Sequence, residues 1–244
     1  RWPSIHSKEI ASTNFAMVDA PFLLLIPGMA ADERLFAPID LSFGQVHALR
    51  WRHIPGVHSL ADYAEATIDE VPWPVDGRPV WYIGSSMGGM LAREMHAQRP
   101  ADELVLLSAP AARTEFPKRM KMLHTLRTGR WFSPAGMMRV NRLSDTFMGF
   151  REAQDRAWFY ENLEAYGAAF LHFAVNAILD WPRRNRPEVY LQVVGDRDQL
   201  FRPHRMMSLV VVPGAGHFLT YEQPGRLSAV LAQRWQQFQE KHQD

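Results

Sequence analysis

The sequence predicts an α/β fold: a mainly parallel sheet with helices on both faces, plus a helical lid inserted between two parts of the core. Three observations carry this. Short apolar runs alternate with stretches of helical periodicity, the pattern of parallel strands joined by crossover helices. The alternation stops between about Ala111 and Trp181, where helical patterns rich in Met and aromatic residues continue without a convincing strand. A structureless loop of that length does not fit a compact domain. The composition is globular, with 47% apolar and 22% charged residues in a chain of 244, long enough to bury roughly 70–75% of its unfolded surface. The expected division is a core of residues 1–110 and 182–244, with the lid over 111–181.

Each element has its own local reason. Phe22 to Ile26 is an unbroken apolar run ended by Pro27-Gly28, which reads as a buried strand and a breaker. Gln45 to Trp51 is a weaker second strand. Ser59 precedes Leu60 with an acid at Asp62, a helix-opening pattern, and Leu60, Ala64, Thr67, Ile68 and Val71 follow at helical spacing. Pro79 to Ile83 is a third strand and Met87 to Gln98 a helix. Glu103 to Leu107, Val189 to Val194 and Leu209 to Val212 complete the strands. Pro224 opens a last helix carrying Leu227, Val230, Leu231, Trp235 and Phe238.

Several function classes drop out. The chain has no Cys, which removes disulfide frameworks, thiolate metal sites and Cys nucleophiles. A net charge of +1 argues against general nucleic-acid binding. The longest clean apolar run, Phe22 to Ile26, is far short of a membrane span of about 20 residues. The first twenty residues do not read as a signal peptide, and a cytoplasmic location is expected. Neither H-E-x-x-H, nor an Asp-rich calcium loop, nor G-x-G-x-x-G is present, so no metal and no cofactor is expected.

Gly84-Ser85-Ser86-Met87-Gly88 reads G-x-S-x-G, directly after an apolar strand and directly before a helix, the context this motif requires. A strand that turns at once into a helix strains the central residue. Small residues two places to either side avoid collisions across so sharp a turn. The result is an exposed Ser86 hydroxyl at the positive end of a helix, with the Met87 amide directed at the carbonyl under attack. Such a nucleophile needs a base, and the base an orienting acid. Among ten His, His217 alone follows a strand within a glycine-rich loop, Pro213-Gly214-Ala215-Gly216-His217.

On these motifs the sequence resembles the α/β-hydrolase fold family, in its esterase-like serine hydrolase branch. The resemblance implies the chain order Ser, acid, His. Its Gly-x-x-Asp pattern after the fifth strand selects Asp198 in Gly195-Asp196-Arg197-Asp198, with Asp196 the alternative. It implies a second oxyanion donor after the first strand, where Gly28 matches, Met29 supplies the amide, and Pro27 replaces the usual His. Right-handed crossovers place the first and third strands side by side, so Met29 and Ser86 face one crevice at their carboxyl ends.

The predicted lid holds five of the twelve Met and many aromatic residues. Trp131 and Phe132, with Gly28, are candidate substrate contacts of an apolar acyl pocket; packing of lid helices onto the sheet explains such residues equally well. Residues 111–150 carry eight Lys and Arg against Glu115 and Asp145. This basic stretch suits an anionic substrate, an acidic acyl-carrier protein or a lipid surface, and a solvated helix face is the plain alternative. The expectation is a cofactor-free serine hydrolase that cleaves a small-molecule carboxylic ester or thioester through an acyl-enzyme. Slow-turnover ligand sensing, carrier-protein docking, and lactonase, amidase, carbon–carbon hydrolase or perhydrolase chemistry remain open at this level.

Overall fold

The computed structural model describes residues 20–125, 153–188, 190–201 and 209–242. Its six strands are β1 (Phe22–Ile26), β2 (Gln45–Ala48), β3 (Val80–Ser85), β4 (Glu103–Leu107), β5 (Leu191–Gly195) and β6 (Leu209–Val212). They form one sheet in the order β2-β1-β3-β4-β5-β6, with every adjacent pair parallel. The helices are α1 (Leu60–Ile68), α2 (Met87–Gln98), α3 (Lys118–Thr125), α4 (Ala153–Leu179), α5 (Leu219–Glu222) and α6 (Pro224–Lys241).

Strand boundaries differ modestly from the sequence reading. The third strand runs on to Ser85, because Ser85 still pairs with Leu107 and the chain turns only at Ser86. The second stops at Ala48, which leaves Trp51 to leave the sheet and donate its indole N–H to the Pro27 carbonyl at 2.9 Å. The fifth begins at Leu191. The Ser59 pattern forms a reciprocal cap on α1, with Ser59 and Asp62 each bonding the other's backbone amide.

Helices cover both faces of the sheet, and β3 makes this legible. Successive strand side chains point to opposite faces. Trp81 meets Trp235 and Phe238 of α6 on one face. Tyr82, on the other, packs near Trp73 and donates its hydroxyl to the Arg99 carbonyl just past α2. Every residue of β1, β4 and β5 is buried, which is why these strands read as continuous apolar runs rather than alternating ones.

Between β4 and β5 the chain leaves the sheet and returns. Its longest described piece, α4, is interrupted at Gly167 (φ 73°, ψ 168°), a backbone region open essentially to glycine alone. Phe159 of α4 meets Phe218 edge-on, Tyr166 donates to the Ala31 carbonyl at 3.0 Å, and Phe170 packs on Trp51. The helix therefore crosses the loops that follow β1, β2 and β6.

Where this segment leaves and rejoins the core, buried carboxylates tie it down. Glu94 of α2 accepts from Arg183 at 2.8 and 2.9 Å and from the Trp181 indole at 2.8 Å. Glu115 accepts from Arg186, from Gln192 and from the Ala111 amide. Arg113 donates to the carbonyls of Leu179 and Trp181. No helix among the described residues is long and apolar enough to cross a membrane.

Candidate active site

The turn from β3 into α2 is set by steric necessity. Ser86 has φ 53° and ψ −120°, a conformation an L-residue adopts only where its surroundings over-determine it. A Cβ on Gly88 would collide with the carbonyl oxygen of Ile26, and one on Gly84 with that of Gly88. Both glycines are thus required by close backbone approach. Ser86 is half-buried, with its hydroxyl held at the head of α2.

The structure brings Ser86, His217 and Asp198 into one hydrogen-bonded chain. His217 Nε2 lies 3.0 Å from Ser86 Oγ, and His217 Nδ1 lies 3.0 Å from Asp198 Oδ2. The partners assign the tautomer: Nδ1–H donates to the carboxylate, and Nε2 accepts from the serine hydroxyl. The second carboxylate oxygen, Oδ1, accepts from the amides of Leu200 at 2.8 Å and Phe201 at 2.9 Å. Burial pushes the Asp198 carboxyl upward. The electrostatic attraction and hydrogen bond of the His217 ring, with the two amides, outweigh burial and hold it below the usual carboxylate range. Asp196 sits elsewhere; it is exposed and accepts from the Gly214 amide at 2.8 Å.

The acid and base loops are laced to each other. Arg197 N donates to the Ala215 carbonyl at 2.8 Å, and Gly216 N donates to the Glu222 carboxylate of α5 at 2.9 Å. Around the imidazole stand Phe201 and Phe218 at ring separations of 5.9 and 6.3 Å.

The loop after β1 lies against the nucleophile: a Cβ on Gly28 would be 3.3 Å from that of Ser86. Met29 follows, half-buried, and Ala30 takes a left-handed φ of 58°. Met87 opens α2, where first-turn amides have no carbonyl inside the helix. Among the described residues, neither the Met29 nor the Met87 amide donates to a protein acceptor. Trp131 and Phe132 lie outside the described residues.

Four contributors escaped the sequence reading. The amides of Leu200 and Phe201 could have been found, since an Asp accepting from the backbone two residues on is a familiar turn. Trp51 and Tyr166, which grip the loop after β1, carry no local signal.

A parallel sheet bearing a strained serine elbow, a histidine and an aspartate on three strand-end loops defines an α/β hydrolase scaffold. The chain belongs to the alpha/beta hydrolase family, whose model matches residues 23–230. Solved structures with the same fold include a thermophilic esterase from Thermogutta terrifontis, 18% identical, covering 90% of each chain at a TM-score of 0.67. A carboxylesterase structure from the thaumarchaeon Nitrososphaera gargenis is 18% identical over 92% of this chain and 93% of its own, at 0.68. The type II thioesterase YbtT of the yersiniabactin pathway is 15% identical over 90% and 93%, at 0.60. The sequence has no significant match among curated proteins.

Proposed function

We propose that the protein is a serine hydrolase acting on a carboxylic ester or thioester. The observation that carries this is the chain from Ser86 through His217 to Asp198, with 3.0 Å at each link. Ser86 Oγ attacks the substrate carbonyl carbon as His217 Nε2 takes its proton. Asp198, ionised and hydrogen-bonded to Nδ1, balances the imidazolium that forms. The amides of Met29 and Met87 receive the developing oxyanion. Collapse breaks the bond to the leaving group, which takes the proton from His217 and departs as an alcohol or thiol. Water then gives a proton to His217 and attacks the acyl-enzyme. As the acid leaves, that proton returns to Ser86.

The family membership and the esterases and thioesterase among the similar structures support this chemistry. Residues 111–181 act as the lid, and Phe159, Phe201 and Phe218 give the acyl side an apolar wall near His217. A thioester carried by an acidic acyl-carrier protein is the second reading. It is favoured by α3, which exposes Lys118 and Lys121 beside Met122, itself 56% exposed.

Hydrolysis of short p-nitrophenyl esters tests the main reading. Ser86→Ala should lower kcat by roughly 10⁴-fold or more, and a fluorophosphonate should label Ser86. Undiminished turnover in Ser86→Ala would remove the serine from the mechanism. Asp198→Asn should impair turnover far more than Asp196→Asn. Charge reversal at Lys118 and Lys121 should slow only carrier-borne substrates; equal rates on these would end the second reading.

A further inference from the structure

We infer that Tyr166 is a positioning residue for the oxyanion donor, acting from α4 through the Ala31 carbonyl. The loop that carries Met29 closes a turn in which the Ala31 amide donates to the Gly28 carbonyl at 3.2 Å, and contacts from outside seat that turn against Ser86. Ala30 sits at φ 58°, a left-handed conformation that strains a non-glycine residue. Such a conformation persists where outside contacts fix it. Two do so here. From beneath, the Trp51 indole donates to the Pro27 carbonyl at 2.9 Å. From above, the Tyr166 hydroxyl donates to the Ala31 carbonyl at 3.0 Å. These bonds bracket Gly28, Met29 and Ala30. The Gly28 backbone in turn lies close enough to Ser86 for any shift to change where the Met29 amide points.

The placement of Tyr166 is itself constrained. The next residue is Gly167, whose φ of 73° breaks the helix, and the Tyr166 ring packs on Phe170 at 5.0 Å. Burial pushes the Tyr166 hydroxyl up to about 12, so it stays a donor across the pH range of assay. One side of the oxyanion site is therefore finished by the inserted helix and not by the sheet, so withdrawing the helix would slacken the donor while leaving Ser86 and His217 in place.

This rests on Met29 as an oxyanion donor, and Tyr166→Phe tests it. The variant removes one hydroxyl and keeps the ring. We expect kcat for p-nitrophenyl acetate to fall about tenfold, short of the hundredfold or more lost when such a donor is deleted outright. KM should stay within about twofold, because the interaction matters mainly in the transition state. Inhibition by phenylboronic acid, whose tetrahedral adduct fills the same site, should weaken by the same factor as kcat. Leu171→Ala is the control; it removes a buried side chain of α4 that the argument does not use, keeps the hydroxyl bond, and should leave kcat within about twofold. Unchanged kcat and boronate affinity in folded Tyr166→Phe would overturn the inference, as would equal losses in folded Leu171→Ala. A wild-type protein without Ser86-dependent hydrolysis would instead sink the catalytic reading itself.

Discussion

Two of the attachments that fasten the segment between β4 and β5 to the core are built from opposite materials. At its neck, Glu94 and Glu115 have side chains 1% and 4% exposed and pair with Arg183 and Arg186. At its outer edge, Arg34 is half-exposed; it pairs with Asp32 at 2.7 Å, reaches Asn162 at 3.2 Å and lies over the Trp158 ring. A buried carboxylate that loses its arginine is left desolvated and charged, whereas an exposed pair exchanges its partner for water at little cost. The difference teaches where motion is allowed: the neck resists separation, and the edge permits it. The two attachments also serve different halves of the site. Phe116 bridges the neck residue Trp181 to Phe201 beside His217, while the edge adjoins the loop bearing Met29.

The contrast can be broken or sharpened by experiment. Arg183→Ala should have the largest effect, about 3–5 kcal/mol of lost stability by urea unfolding, because the buried Glu94 carboxylate loses its guanidinium partner and keeps, among the described residues, the Trp181 indole alone as a side-chain donor. A loss under about 1 kcal/mol would erase the distinction between neck and edge. Gly167→Ala comes next, at about 1–3 kcal/mol, since alanine is strained at φ 73° and ψ 168°. A variant as stable as the wild type would mean that the break is not enforced there. Arg34→Ala should cost under about 1 kcal/mol yet speed labelling of Ser86 by a bulky fluorophosphonate; unchanged labelling would argue that the edge is not where the site opens.

The smallest effect is an acid one. Burial raises the Asp32 carboxyl, but its hydrogen bonds to Arg34 and its charge more than compensate, so it stays below the usual carboxylate range. A depressed folded value stabilises the protein above the unfolded-state value, and the benefit is lost as pH falls through the folded one. The stability gap between wild type and Asp32→Asn should therefore be present near neutrality and close in acid. A gap that persists below the folded value would assign it to shape and not to charge.

The sequence foretold whatever depends on nearby residues. Ser86 and His217 each sit just past an apolar strand among glycines and small residues, and Asp198 comes three residues after Gly195 at the end of β5, so strand, turn and candidate side chain are visible together. The parallel order of β1 beside β3 followed from crossover handedness. What stayed hidden depends on distance along the chain. Tyr166 meets Ala31 across 135 residues, and Arg183 meets Glu94 across 89. Arg93 and Glu94 are charged residues of α2, yet both are buried, because the returning chain covers the helix there. The short strand β2 was overdrawn because the apolar Leu49 and Trp51 prolong its pattern after the pairing has ended.

The position of β6 has a consequence for how activity is lost. Among the described residues, this four-residue strand is bonded to a neighbour on one flank only, and Val211 is 42% exposed. It leads into the loop that carries His217, whereas Ser86 hangs from a strand secured on both flanks. Border strands fray at lower free energy than interior ones. On warming, turnover should fade before the centre of the sheet melts, making inactivation an early sentinel of local loosening and not a measure of global unfolding.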